Sequence, residues 1–227
     1  FFTLAAESLF ERIGFYPDVV HVHDWQPGML PLILKDRHSK DPVYANTRTV
    51  LTIHNPEFKG MLDPSALGEL YNLPLSYFES GLTRYDEKVP TLKTAVMTAD
   101  KITTVSPTYA EEIKMPFYGE GLDGLLRARA HDLRGIVNGI DYDDWNPETD
   151  KYLVKPFNAR NFRKEKAKNK KALQEQFGMN VDPGKMMIGI VSRLTDQKGL
   201  DLVECIMDEL CQDDIQFVVL GTGDEKY

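Results

Sequence analysis

The sequence predicts an α/β fold made of doubly wound parallel sheets in two domains, the second cut short. Three observations carry this prediction. Short apolar runs alternate with segments of helical periodicity, which implies parallel strands joined by helical crossovers. Each apolar run stops at polar or turn residues, as strands facing a ligand crevice do. A charge-rich stretch, 141–171, interrupts the alternation, which then resumes.

In chain order, residues 2–13 read as a helix, with Leu4, Leu9, Phe10 and Ile13 broadly at helical spacing and Gly14 as its stop. Residues 18–23 form a five- or six-residue apolar run bounded by Pro17 and Asp24-Trp25, which fits a buried parallel strand. A helix over 28–37 leads to a second strand, 49–53, that ends at His54-Asn55-Pro56. A helix over 92–100 leads to a third, 101–105, that ends at Ser106-Pro107. Ser106 is placed to cap the next helix, 107–114, with Pro107 at its first position. A fourth strand, 135–137, ends at Asn138-Gly139.

Residues 1–150 are thus expected to form part of a first, Rossmann-like domain. Residues 151–227 are expected to hold the crossing into a second and its beginning. That second part reads as a charged, exposed helix over 159–177, a strand over 186–192, a loop over 193–198, a helix over 199–211 and a strand over 215–220 that ends in Gly221-Thr222-Gly223-Asp224. Two parallel strands cannot cover both of their own faces, so the second domain looks truncated.

Composition limits the function classes. With 42% hydrophobic residues among 227, the chain can form a packed core. A net charge of −8, from 27 Lys+Arg against 35 Asp+Glu, argues against nucleic-acid binding, which needs surplus cations. It leaves room for a small anionic ligand held by a few local cations. No apolar run approaches the roughly 18 residues of a membrane span, and no signal peptide is visible. Cys205 and Cys211 lie six apart on one expected helix, about 120° around it and about 9 Å along it. That spacing suits neither a disulfide nor a metal pair, so half-buried thiols in a reducing cytoplasm are expected.

The strongest chemical signal is Ser192-Arg193-Leu194-Thr195-Asp196-Gln197-Lys198-Gly199, between a strand and a helix. Arg193 and Lys198 can converge on one diphosphate, one as a planar fork and the other as a point charge, with a helix start adding N–H donors. Equally, both could be solvated or paired to acids. His21 and His23 fall on one side of the first strand and could bond a sugar hydroxyl or a phosphate, or be satisfied core imidazoles. No third metal ligand stands near them. His54-Asn55 and Asn138-Gly139 are strand-end polar pairs that turn chemistry alone could explain. Gly119, Gly121 and Gly124 match a loose dinucleotide fingerprint, but no strand precedes them, so that reading is rejected. No Gly-x-Ser-x-Gly elbow, no phosphate-loop lysine motif and no patterned carboxylate pair is present.

Six runs resemble bacterial glycogen synthase and plant starch synthase. They are Asp18 to Gln26 (Asp-Val-Val-His-Val-His-Asp-Trp-Gln), Leu51 to Asn55, Val105 to Ile113, Gly135 to Asp141, Trp145 to Asp150 and Val191 to Asp201. They occur in the family's order over nearly the whole chain. The resemblance implies a GT-B glycosyltransferase that moves glucose from ADP-glucose to the non-reducing end of an α-1,4-glucan with retention, in glycogen biosynthesis, without a metal or other cofactor. It implies that His23, Arg193 and Lys198 are catalytic. It also implies that His54, Asn55, Asn138, Gly139, Gly221 and Gly223 line the substrate sites. Expected partners are ADP-glucose and α-1,4-glucan, with no nucleic acid and no membrane, in the cytoplasm.

Two family motifs are missing: the Lys-x-Gly-Gly-Leu loop that grips donor phosphates, and a later glutamate motif ending in Cys-Gly-Leu. Pro56 stands where an aliphatic residue is usual, and Thr94-Ala95 where the helix usually has a glycine. The chain therefore reads as an internal piece, inactive by itself. Two other readings stay open. One is a different GT-B sugar-nucleotide transferase; the other is a non-catalytic glucan- or nucleotide-binding remnant.

Overall fold

The computed structural model describes residues 1–227. The chain forms two compact units, Phe1–Gly139 and Ile140–Tyr227.

The first unit starts with α1 (Phe2–Ile13), closed by Gly14 in the left-handed conformation, where a residue without Cβ carries no penalty. Then follow β1 (Val19–His23), α2 (Leu30–His38) and β2 (Arg48–Ile53). An excursion not apparent in the sequence comes next. It holds β3 (Met61–Leu62), α3 (Ala66–Glu69), α4 (Ser76–Glu79) and β4 (Val89–Pro90), with β3 and β4 antiparallel. The chain continues through α5 (Thr91–Thr98), β5 (Lys101–Thr104), α6 (Pro107–Glu112), α7 (Pro116–Gly119), α8 (Asp123–Ala128) and β6 (Leu133–Gly135). Ser106 caps α6 as expected, its hydroxyl accepting from the Tyr109 amide at 2.9 Å.

Strands β1, β2, β5 and β6 form a parallel sheet in that order. Val20 and Val22 of β1, Leu51 and Ile53 of β2, Ile102 of β5 and Leu133 of β6 share one core with Leu30, Leu34, Leu92, Ala95, Leu122 and Leu126 from the helices and their connections. Burying each of these Val, Leu and Ile side chains contributes about 1.5–3 kcal/mol.

Two expectations fail here. β1 is not buried on both faces: Val19, His21 and His23 are exposed while Val20 and Val22 are buried. β1 is an edge strand, and the face bearing Val19, His21 and His23 stays open to water. β6 lies two residues earlier than predicted. Leu133 joins the core, and a Cβ on Gly135 would stand 2.1 Å from the Ser106 carbonyl oxygen. Ile136 and Val137 are exposed past the strand end.

The second unit contains α9 (Phe162–Gln176), β7 (Met186–Val191), a 3-10 turn (Asp196–Lys198), α10 (Leu200–Cys205), α11 (Met207–Leu210) and β8 (Ile215–Leu220). β7 and β8 pair in parallel. No residue of β7 is buried, and of β8 only Gln216 is. Gln174 donates to the Gln216 side chain at 2.6 Å and Gln216 donates to the Asn180 carbonyl at 2.7 Å, fastening α9 to β8. The single helix expected over 199–211 is two pieces, separated at Ile206. Both cysteines are exposed free thiols rather than half-buried ones.

Candidate functional site

Parallel pairing puts His23 beside Thr52, and His54 lies just past Ile53 at the same sheet end. His23 Nδ1 and His54 Nε2 are 3.0 Å apart. The His23 ring stacks on that of His21, at a centroid distance of 4.4 Å, and meets that of His54 edge to edge, at 5.3 Å. His21 Nε2 stands 2.6 Å from the Thr52 hydroxyl, which stands 2.6 Å from that of Thr103. Partial burial, followed by the nearby His23 and His54 rings, lowers the pKa of His21 below its ordinary 6.5.

Asp24 locks this end in place. It adopts the left-handed conformation, φ 55°, which Asp tolerates better than most residues. Its Oδ1 accepts from the His54 amide at 2.7 Å and the Asn55 amide at 3.4 Å. Asn55 closes a turn of its own, its side-chain oxygen accepting from the Glu57 amide at 2.9 Å. The following loop folds over Trp25. A Cβ on Gly60 would meet the Trp25 ring at 2.6 Å, and Thr91 donates to the Trp25 carbonyl at 2.5 Å. Thus His23, His54 and Asn55 are brought together, as the strand-end pattern suggests. Asp24, named in the sequence only as a strand stop, and Thr52 and Thr103, which did not stand out there, belong to the same cluster. Asp24 lies within the His-Asp-Trp run, where its capping role has no local signature, and the threonines carry no signal beyond strand position.

Asn138 and Gly139 do not follow a strand directly, because β6 stops at Gly135. Both are exposed. No strand precedes Gly119, Gly121 and Gly124, which sit around α7 and α8. Gly121 has φ +79°, and a Cβ there would lie 2.2 Å from the Tyr85 hydroxyl.

In the second unit, Arg193 precedes the 3-10 turn after β7 and Lys198 ends it, and both are exposed. No carboxylate pairs with either. The acid between them, Asp196, is taken by the Lys226 ammonium at 2.6 Å and by the Tyr227 hydroxyl. Those two donors hold the Asp196 carboxyl below its usual range.

The loop backbone is anchored on the loop after β8. Leu194 N–H donates to the Thr222 carbonyl at 2.9 Å, and Asp224 N–H donates to the Leu194 carbonyl at 2.8 Å. Gly221 and Gly223 make this approach possible. A Cβ on Gly221 would stand 1.9 Å from the Ser192 carbonyl oxygen, and one on Gly223 would stand 2.0 Å from that of Leu194. The two cations therefore belong to a braced loop whose one acid is engaged elsewhere, an arrangement suited to a polyanion. No helix of the chain is long and apolar enough to cross a membrane.

Residues 1–128 match the family model described as the starch synthase catalytic domain. The glycogen synthase of Lachnospira eligens is 55% identical over all of this chain and 48% of its own length. That of Lachnoclostridium phytofermentans is 48% identical over the same shares. Among solved structures, the catalytic domain of starch synthase IV from Arabidopsis thaliana, bound to ADP and acarbose, aligns with a TM-score of 0.87 at 32% identity. The alignment covers 99% of this chain and 46% of that one. The chain spans about half the length of the relatives it matches. It belongs to the starch synthase catalytic domain family of glycosyltransferases.

Proposed function

We propose that this chain is part of a glycogen synthase that transfers glucose from ADP-glucose, with retention, to the non-reducing end of an α-1,4-glucan. The first unit then belongs to the acceptor-side domain and the second to the nucleotide-sugar domain. The observation that carries the reading is the braced turn in the second unit, with Arg193 and Lys198 exposed and unpaired while Asp196 is occupied elsewhere. When ADP departs, negative charge grows on its β-phosphate. The Arg193 guanidinium offers two parallel N–H donors and the Lys198 ammonium a compact charge. Neither has a carboxylate partner to leave before it meets that charge. They take the role that a divalent metal has in other transferases, so no cofactor is required.

His23 stands at the carboxyl end of β1, where parallel sheets receive ligands. With Nδ1 engaged by His54, its Nε2 is left for a sugar hydroxyl. Asn55, Asn138 and Gly139 line the sugar side, and Gly221 and Gly223 support the phosphate side. The setting is cytoplasmic. Turnover is expected of the longer protein, and nucleotide binding of this chain.

Calorimetric titration of the chain with ADP tests the reading. Binding that weakens about 10- to 100-fold in both Arg193→Ala and Lys198→Ala supports it, each lost charged contact being worth about 1.5–3 kcal/mol. Absent binding, or binding indifferent to both substitutions, removes it. A panel of ADP-, UDP- and GDP-glucose on the longer protein then identifies the donor.

A further inference from the structure

We propose that His54 is a positioning residue: its Nε2 holds Nδ1 of His23, fixing that ring and its tautomer so that His23 turns only Nε2 toward a ligand. The inference rests on the reading of His23 as the group that faces the sugar, and it assigns His54 to the imidazole rather than to the substrate.

A 3.0 Å contact between two ring nitrogens requires a proton on one of them and a lone pair on the other. Whichever way the bond runs, His23 Nδ1 is committed, and His23 can change tautomer only if His54 changes with it. Neutral imidazole otherwise exchanges between two tautomers, and a ring exposed at a strand end can also turn over. The surroundings oppose both. His21 stacks on one flank of His23 with an interplanar angle of 29°. His21 is held in turn through Nε2 by Thr52, and Thr52 by Thr103. At the Nδ1 edge, the His54 ring lies at 27° to that of His23. The backbone of His54 is fixed by the Asp24 carboxylate. The His23 imidazole is thus held directly by His21 and His54, and through His21 by the threonines of the two neighbouring strands.

Ring nitrogen spectra test this directly. The chain has 5 histidines, so long-range nitrogen–proton correlation of the labelled 227-residue protein, with each His→Gln variant for assignment, resolves every ring. At a pH where imidazoles are neutral, His23 should show two well-separated nitrogen shifts, the mark of one tautomer. His54→Ala should draw these toward a common averaged value, with the Leu51 and Ile102 amide signals unmoved. His131→Gln, at a remote site, should leave the His23 ring unchanged. A nitrogen–nitrogen coupling across the His23–His54 bond in the unsubstituted protein would support the proposal without any variant.

Averaged His23 shifts in the unsubstituted protein would overturn the proposal. So would an unchanged His23 pattern in a folded His54→Ala variant, or no coupling across the bond. Failure of ADP binding would remove the transferase reading and leave these measurements intact, so the two can fail separately.

Discussion

Gly223→Ala tests whether the phosphate-facing turn owes its shape to the loop beneath it. A Cβ at this position would be 2.0 Å from the Leu194 carbonyl oxygen, 2.6 Å from its carbon and 2.7 Å from its nitrogen. All three atoms are backbone, so no rotamer change relieves the clash. To reach the roughly 3 Å that close contact tolerates, the two loops must part by about 1 Å. That parting breaks or stretches the two bonds joining them, Leu194 to Thr222 and Asp224 to Leu194. At about 1 kcal/mol net for each bond, the second unit should lose about 2 kcal/mol of stability. Arg193 precedes the displaced residue, so its guanidinium loses its fixed position and ADP should bind about tenfold more weakly. Gly189→Ala is the control, since a Cβ there would have nothing within 4 Å. Urea denaturation and ADP calorimetry on both variants give the answer. Equal stability and equal affinity for Gly223→Ala and Gly189→Ala would refute the reasoning.

In the longer protein, Arg193→Ala and Lys198→Ala should each cost about 2–4 kcal/mol in transition-state stabilisation, seen as reduced kcat/KM for ADP-glucose. Because the pKa of His21 is lowered on folding, the unfolded chain binds its proton more readily. Stability should therefore fall as pH drops below the ordinary 6.5 toward the folded value, and His21→Gln should flatten this part of the denaturation curve. At Asp132, Lys101 at 2.7 Å and Arg129 at 3.0 Å bring the carboxyl down to about 2. Its stabilisation is present above the ordinary 3.8 and fades as pH falls toward 2. Acid denaturation of Asp132→Asn should be less sensitive to pH in that window.

The regular elements of both units were legible because their apolar runs are short and their stops are chemically distinct: Gly14, Asp24, Ser106-Pro107 and Gly221. What could not be read came from contacts between distant segments. β6 starts at Leu133, which pairs with Ile102, and its last residue, Gly135, passes close to Ser106, neither of which the pattern Gly135-Ile136-Val137 reveals. The small elements between 61 and 90 are each two to four residues long, too short for periodicity to register. The helix break at Ile206 falls within a continuous apolar pattern that gives no sign of it. At the site, His23 and His54 were both recognisable as strand-end residues. Their bond follows only from the β1–β2 register, which pairs His23 with Thr52. The resemblance implies that Gly221 and Gly223 line a substrate site, whereas their immediate neighbours are the carbonyls of Ser192 and Leu194.

The central claim, that Arg193 and Lys198 grip the diphosphate of the donor, is tested most directly by a crystal structure of the chain soaked with ADP. The expected result is diphosphate oxygens within hydrogen-bond distance of the Arg193 guanidinium and the Lys198 ammonium, above the braced turn. A nucleotide bound elsewhere, with both side chains still turned to solvent, would contradict it.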